Sequence, residues 1–225
     1  MAVKNYKSQE NAPGGVPTGH EDTFARDLLP HDDLLPEFNF SGVPELAEYG
    51  NYQNVATELL DKMATSGFGR RPVLHYEDKS WTYEELLKLS NRLARVLVED
   101  CGMVAGGRVL LRSSNTPMLV ACWFAVLKAG GICVTTMPLL RARELSYILE
   151  RASISIALCD VKLNLELEEA AARRPEVKHL LYFSTMAVGG SKATLETASD
   201  GKSSTFANVN TAADDIALIA FTSGT

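Results

Sequence analysis

The sequence lacks the patterns that identify several large classes of protein. Its four cysteines, Cys101, Cys122, Cys133 and Cys159, show no metal-ligand spacing. Cys122 and Cys133 lie inside apolar runs, which favours buried thiols over reactive ones. No stretch approaches the ~18 consecutive apolar residues of a membrane span. The opening, MAVKNYKSQENAPGG, has no apolar core of signal-peptide length. We therefore expect a cytoplasmic protein with reduced thiols and no membrane partner.

Two nucleotide-binding signatures and any strongly basic region are also missing. Neither GxxxxGKS, GxxxxGKT nor GxGxxG occurs, so a P-loop ATPase and a dinucleotide-binding dehydrogenase are not supported. The chain carries 22 Lys and Arg against 28 Asp and Glu, a net charge of −6, and its basic runs are the pairs Arg70-Arg71 and Arg173-Arg174. Because neutralising a phosphate backbone requires clustered cations, we expect no nucleic acid partner.

The residues that are present suit a soluble globular fold with an irregular beginning. The chain has 225 residues, 46% of them hydrophobic and 22% charged, which is enough to bury a sizeable core. Residues 1–53 are rich in proline, glycine and scattered aromatics, and we expect an extended N-terminal segment there. Regular structure is predicted from residue 54 onward, so residues 54–225 form the second predicted unit.

Strand and helix signals alternate through this second unit. Strands are predicted at 72–76, 80–81, 108–114, 132–137, 155–160, 177–184 and 216–221, and helices at 54–67, 82–101, 117–129, 141–152 and 163–174. Asn54, Thr82 and Thr116 are the predicted helix caps, with Glu85 completing a capping box. Residues 185–210 read as a polar linker. Strands that are apolar on both faces and separated by helices predict an α/β fold with a mostly parallel sheet flanked by helices.

The last predicted strand runs directly into Thr222, Ser223, Gly224 and Thr225, called the TSGT segment below. A turn of this composition after a strand can hold phosphate, because glycine lets the backbone approach closely while amides and hydroxyls donate to phosphate oxygens. A tetrapeptide of this kind is, by itself, more often a plain turn. The TSGT segment is the one candidate binding site, and no catalytic or metal-ligating residue is predicted.

Three stretches in a fixed order strengthen the phosphate interpretation: WTYEEL at 81–86, LKAGG at 127–131 and DIALIAFTSGT at 215–225. Together they resemble the adenylate-forming (AMP-binding) superfamily of acyl- and aryl-CoA synthetases, peptide-synthetase adenylation domains and luciferases. The resemblance covers nearly all of residues 54–225. In the family the third stretch continues as Thr-Gly-x-Pro-Lys. We therefore expect the chain to be the N-terminal portion of the family's large domain, truncated within the phosphate loop.

The resemblance implies a two-step reaction that uses ATP, Mg²⁺ and CoA. A carboxylic acid is joined to AMP with release of pyrophosphate, and the CoA thiol then displaces AMP to give a thioester. The TSGT segment would contact the β- and γ-phosphates of ATP. Lys128, Gly130 and Gly131 match the second motif, but their position at a helix end favours a structural role. The resemblance leaves a homodimer open.

A finer resemblance concerns aryl-CoA ligases of aromatic degradation, such as 2-aminobenzoate–CoA ligase and benzoate–CoA ligase. It rests on TFARDLLP at 23–30, CWFAVLKAGG at 122–131 and MPLLRARELSYIL at 137–149. The predicted function is therefore the N-terminal part of an ATP-dependent aromatic carboxylate–CoA ligase, inactive on its own. Two alternatives remain: an amino-acid-activating adenylation domain, and a non-catalytic α/β domain that binds a nucleotide or a partner.

Overall fold

The computed structural model describes residues 17–35, 42–43, 49–184 and 194–222. The strands are β1 (Pro72–Tyr76), β2 (Lys79–Thr82), β3 (Arg108–Arg112), β4 (Ile132–Thr136), β5 (Ile156–Asp160), β6 (His179–Phe183) and β7 (Leu218–Ile219). The α-helices are α1 (Phe24–Asp27), α2 (Tyr83–Arg95), α3 (Pro117–Lys128), α4 (Ala142–Arg151), α5 (Asn164–Ala171) and α6 (Thr194–Ser199). Shorter helical stretches with 3₁₀ or π hydrogen bonding lie at Asp32–Leu34, Thr57–Asp61, Ala64–Phe68, Val96–Asp100 and Val161–Leu163.

The central sheet has five parallel strands in the order β6-β5-β3-β4-β7. Successive side chains of a strand point to opposite faces of the sheet. Both faces of this sheet therefore carry apolar side chains, and helices cover both. On β3, Val109 and Leu111 join the core under α2 and α3, while Leu110 joins the core under α4 and α5. All five residues of β3 and of β5 are buried. The predicted α/β architecture with a parallel sheet is confirmed.

The predicted helix starts are confirmed by their capping hydrogen bonds. The Thr82 hydroxyl accepts from the amide of Glu85, and the Glu85 carboxylate accepts from the amide of Thr82. The Thr116 hydroxyl accepts from the amide of Leu119 ahead of α3, and Asn54 Oδ1 accepts from the amide of Ala56. Each cap satisfies a backbone N–H that has no partner within its helix.

Two predictions near the end of the chain are wrong. Residues 185–210 are not simply a linker, because α6 lies within them, with Leu195 buried under the sheet. The strand predicted at 216–221 is two residues long, since β4 pairs with it at Cys133–Leu218 and Val134–Ile219. In both cases a contact between distant parts of the chain determines the structure. The buried Leu195 packs α6 against the core, and the pairing with β4 sets the length of β7.

Polar contacts fasten the chain between α6 and β7 to the helical stretch Thr57–Asp61, to Asn54 just before it, and to α3. Lys128 closes α3 as predicted, but its side chain is fully buried, and its ammonium lies 2.6 and 2.7 Å from the carboxylate oxygens of Asp61. The same ammonium donates to Asn208 Oδ1 at 3.1 Å. Asn54 Nδ2 donates to the carbonyls of Leu127 and Val209 at 2.7 and 3.1 Å. These bonds join three parts of the chain that are distant in sequence.

Replacing Asp61 by alanine should lower the free energy of unfolding by about 3 kcal/mol, because a buried ammonium would lose its counter-charge. Urea unfolding followed by circular dichroism measures the change. Glu58→Ala is the matched control, since Glu58 pairs with the exposed Lys62 on the same helical stretch and should cost at most about 0.5 kcal/mol. Equal losses from the two variants would contradict a buried, energetically important Lys128–Asp61 pair.

Candidate functional site

The five strands of the central sheet point the same way, so the loops at their C-terminal ends collect at one edge, called the carboxyl edge. β3 continues to β4 on one side, whereas β5 continues to β6 on the other, so the winding reverses between β3 and β5. In open α/β sheets, ligands bind outside the carboxyl ends of the strands. This edge is therefore where the topology favours a binding site.

A buried arginine organises the carboxyl edge. Arg112, the last residue of β3, is 1% exposed, and burial lowers the pKa of its guanidinium. It donates to the carbonyls of Met137, Pro138 and Leu140 at 3.0, 3.1 and 2.8 Å, and to that of Leu163 at 3.3 Å. The loop after β4 and the turn after β5 are thereby tied together over the end of β3. The sequence analysis missed this role. The feature that could have indicated it is the charged residue at the end of the otherwise apolar run RVLLR.

The TSGT segment begins at this same edge. Thr222 is exposed and lies three residues beyond Ile219, the last paired residue of β7. The other three predicted phosphate contacts, Ser223, Gly224 and Thr225, lie outside the described residues. The position of Thr222 is compatible with a hydroxyl offered to a ligand at the carboxyl edge, and the roles of all four residues stay predictions.

Asp215 anchors the chain just before β7. Its carboxylate accepts from the amides of Gly19 and Ala212, each at 2.8 Å, from Arg26 at 2.8 Å, and from the Thr18 hydroxyl. Burial acts to raise the pKa of Asp215, but the hydrogen bonds from Thr18, Gly19 and Ala212, with the charge that His20 carries once it is protonated at low pH, outweigh it and leave the pKa lowered. The N-terminal segment is thus locked to the residues that lead into β7. The sequence analysis did not identify this anchor.

His20 lies beside the Asp215 anchor. Its side chain is buried, and burial lowers its pKa even though the carboxylates of Asp22, Asp214 and Asp215 act in the opposite direction. Arg26 adds to the lowering. The imidazole is therefore held neutral near neutral pH, in a cluster of acidic groups that would otherwise attract a proton.

The glycines of the second motif serve packing. Gly130 has a φ of +69°, and a Cβ added there would lie 2.8 Å from Val209 Cγ1. A Cβ on Gly131 would lie 2.8 Å from Met103 Cε. Lys128 forms a buried ion pair, and Gly130 and Gly131 lie where a side chain would collide with Val209 and Met103. These contacts support the structural interpretation of LKAGG.

A cavity of about 310 Å³ lies at the amino edge of the sheet, opposite the carboxyl edge. Gly131 and Ile216, which precede β4 and β7, help to line it, as do His20, Asn54 and Leu59. It lies at the end of β7 away from Thr222. A second groove of about 330 Å³ lies between α4 and α5. Neither cavity was expected from the sequence.

The cysteine prediction agrees with the structure. Cys122, Cys133 and Cys159 are buried, and Cys101 is partly buried. Burial raises the pKa of Cys101 to about 11 and that of Cys159 to about 12, and it also raises the pKa of Cys122 and Cys133. Because the thiolate is the reactive form, these thiols are unreactive near neutral pH.

Two further absences concern the part of the chain that the structure describes. Within residues 17–35, 42–43, 49–184 and 194–222, no group of three His, Cys, Asp or Glu side chains is arranged to hold a metal ion. Across the same ranges, no helix combines the length and apolar character that crossing a membrane requires.

With the fold and the carboxyl edge established, comparison with known proteins assigns the family. The family model described as AMP-binding enzyme matches residues 62–225, which is most of the chain. The chain belongs to this family of AMP-binding enzymes. The predicted membership of the adenylate-forming superfamily is therefore confirmed.

Two curated relatives and one solved structure illustrate the similarity. An uncharacterized acyl–CoA ligase, YtcI of Bacillus subtilis, is 26% identical over 207 residues, covering 88% of this chain and 34% of the relative. A 3-hydroxybenzoate–CoA/4-hydroxybenzoate–CoA ligase of Thauera aromatica is 24% identical over 172 residues, covering 76% and 33%. The anthranilate CoA ligase AuaEII superposes with a TM-score of 0.71 at 19% identity, covering 79% and 33%, a likeness of fold. The chain spans about a third of the length of these relatives.

Replacing His20 by glutamine should flatten the pH dependence of stability between about pH 7.5 and 5. With a folded-state pKa below its ordinary 6.5, His20 takes up a proton in the unfolded chain before it does so in the folded one. Its contribution to stability is therefore present above pH 6.5 and declines as the pH falls, by at most about 1.4 kcal/mol per pH unit. Thermal unfolding across this range measures the slope.

The control for this experiment is His75→Gln, because His75 is exposed and bonded to Ser80 in the β1–β2 hairpin. The lowered pKa of Asp215 places its own loss of stability below about pH 4, outside the range measured. A slope that His20→Gln leaves unchanged, or that His75→Gln flattens equally, would contradict the assignment.

Proposed function

We propose that this chain supplies the N-terminal third of an ATP-dependent aromatic carboxylate–CoA ligase. The observation that carries the proposal is the start of the TSGT segment at the carboxyl edge of a parallel sheet, in a chain of the AMP-binding family. The names of the hydroxybenzoate–CoA ligase and the anthranilate CoA ligase among its relatives support an aromatic acid as substrate. An amino-acid-activating adenylation domain is the alternative within the family.

In the proposed reaction, a carboxylate oxygen of the acid attacks the α-phosphorus of ATP, and the bond to pyrophosphate breaks. The sulfur of CoA then attacks the acyl carbon, the bond to AMP breaks, and the thiol proton is lost to solvent or a base. The proposed task of the TSGT segment is to hold the β- and γ-phosphates, so that the leaving group is aligned with the bond that breaks. Thr222 and Thr225 would donate hydroxyl hydrogen bonds, and Gly224 would let the backbone approach.

Magnesium enters this proposal together with ATP. The described residues offer no group of carboxylates or imidazoles at the carboxyl edge that would hold the ion by itself. Bound to the phosphates, Mg²⁺ would offset their negative charge. The chain's own contribution is then the set of neutral donors of the TSGT segment, which suits a phosphate tail whose charge is already partly neutralised.

In the ligase that includes this chain, the double variant Thr222→Val/Thr225→Val should lower kcat/KM for ATP at least about 10-fold. Each hydroxyl donating to a charged acceptor contributes about 1.5–3 kcal/mol, and valine keeps the side-chain volume while removing the donor. Thr205→Val is the control, since Thr205 is exposed and bonds to Ser203 away from the carboxyl edge. Unchanged pyrophosphate release in the double variant would remove these hydroxyls from the site.

The isolated 225-residue chain should show negligible adenylation with 2-aminobenzoate, benzoate or any amino acid. It spans about a third of the length of its relatives, so most of the catalytic surface would come from other residues. Pyrophosphate release measured with each acid, with the longer ligase as positive control, tests this. Acid-dependent release by the chain alone would contradict it, and a longer protein that responds to amino acids but not to aromatic acids would favour the alternative.

A further inference from the structure

The cavity at the amino edge of the sheet, called the amino-edge cavity, has the size and the walls of a small-molecule site. Its volume of about 310 Å³ is roughly twice the ~150 Å³ of an engineered apolar cavity that binds benzene. Apolar side chains from three parts of the chain line it, among them Val55, Leu127 and Ile216. Ligand pockets are mostly apolar, and a few polar groups fix the orientation of the ligand. The polar groups of this cavity therefore indicate which ligand it takes.

His20 brings a ring without a partner to the amino-edge cavity. The residue is 8% exposed and lines the cavity, yet neither ring nitrogen has a hydrogen-bond partner in the part of the chain that the structure describes. Its backbone amide is bonded to the hydroxyl of Thr18. Because burial lowers the pKa of His20, the ring is neutral near neutral pH, and one nitrogen keeps a lone pair that can accept a hydrogen bond. A ligand that donates to this nitrogen would satisfy a buried polar group.

Glu58 brings a carboxylate oxygen to the same cavity. Its Oε2 accepts from the ammonium of Lys62 at 2.6 Å, whereas no described residue donates to its Oε1. The Glu58 side chain is 21% exposed, so its charge is partly withdrawn from water. Asp215, the other carboxylate of the lining, already accepts hydrogen bonds from four donors. Glu58 is therefore the carboxylate with room for a ligand.

The charge of the lining favours a cation. Among the described residues that line the amino-edge cavity, two are acidic and none is lysine or arginine. Behind His20, the carboxylates of Asp22 and Asp214 are offset in part by Arg26 and Arg108. An anion in the cavity would face carboxylates without a counter-charge. An ammonium group would instead form charge-assisted hydrogen bonds, which are the stronger kind.

We propose that the amino-edge cavity binds a small amine, a primary ammonium group on an apolar or aromatic body of about 8 to 12 non-hydrogen atoms. The ammonium donates to Oε1 of Glu58 and to the ring of His20, and the body packs against the apolar walls. The site does not depend on the proposed function, because it lies at the opposite edge of the sheet from the TSGT segment. The two sites also differ in charge preference, since ATP is a polyanion.

Titration calorimetry of 2-phenylethylamine into the ligase that includes this chain tests the proposal. The probe should bind with a Kd of about 1 mM or tighter, because a cavity of matching size buries most of its ring. The neutral analogue 2-phenylethanol keeps the ring and the two-carbon chain but carries no charge. It should bind at least about 5-fold more weakly, because the charge-assisted hydrogen bonds are lost.

Two variants place the binding in the amino-edge cavity. Glu58→Gln keeps the shape of the side chain and removes its charge, so it should weaken binding of 2-phenylethylamine about 5- to 10-fold. Glu84→Gln is the matched control, because Glu84 pairs with Lys88 at 2.6 Å as Glu58 pairs with Lys62, but on α2 and outside the lining. Ala213→Phe should abolish binding, since Ala213 is an exposed residue of the lining and a ring there fills the space.

Each outcome of the titration decides the proposal. Saturable binding that Glu58→Gln weakens, Ala213→Phe abolishes and Glu84→Gln leaves unchanged supports it. Absence of saturation up to about 10 mM, well above the range expected for a probe of this size, overturns it. Equal affinity for 2-phenylethanol overturns the preference for an amine, and binding that neither Glu58→Gln nor Ala213→Phe alters places the amine elsewhere. The proposed function is decided separately, by pyrophosphate release in Thr222→Val/Thr225→Val.

Discussion

The short strand β7 depends on the polar contacts that fasten the chain ahead of it. Two residue pairs with β4 supply few hydrogen bonds, each contributing about 1 kcal/mol net, against the entropy of ordering a long connection. The bond from the buried Lys128 to Asn208, the bond from Asn54 to Val209, and the Asp215 anchor hold that connection in its middle and just before β7. These contacts fix the position of β7, although its own pairing with β4 is short.

A fixed end of β7 matters because the TSGT segment leaves the sheet from it. The parallel sheet brings the ends of β3, β4, β5 and β7 to one edge, Arg112 ties two of the intervening loops together there, and Phe221 rests on Tyr147. The proposed phosphate-binding role of this segment would benefit, because a segment that starts from a fixed point loses less conformational freedom when a ligand binds. The buried charges therefore act on the proposed site from a distance, through the position of β7.

The sequence predicted those features that local chemistry decides. Thr82 with Glu85, and Thr116 with Pro117, indicate helix starts within a few residues, and buried apolar runs such as RVLLR indicate central strands. The features it missed are set by partners far along the chain. Asp61 and Lys128 are 67 positions apart, and Thr18 and Asp215 are 197 apart, so no local pattern pairs them. The length of β7 is likewise set by its pairing with β4, and the apolar run at 216–221 by itself does not indicate which residues pair.

The most direct measurement of the central claim is a titration of ATP into the ¹⁵N-labelled ligase that includes this chain, monitored through the backbone amide resonances. The account predicts that the largest shift changes fall on residues 222–225 and their neighbours at the carboxyl edge, because their amides and hydroxyls would donate to phosphate. Shift changes concentrated around His20 and Leu59 at the amino-edge cavity, or none at the TSGT segment, would contradict it.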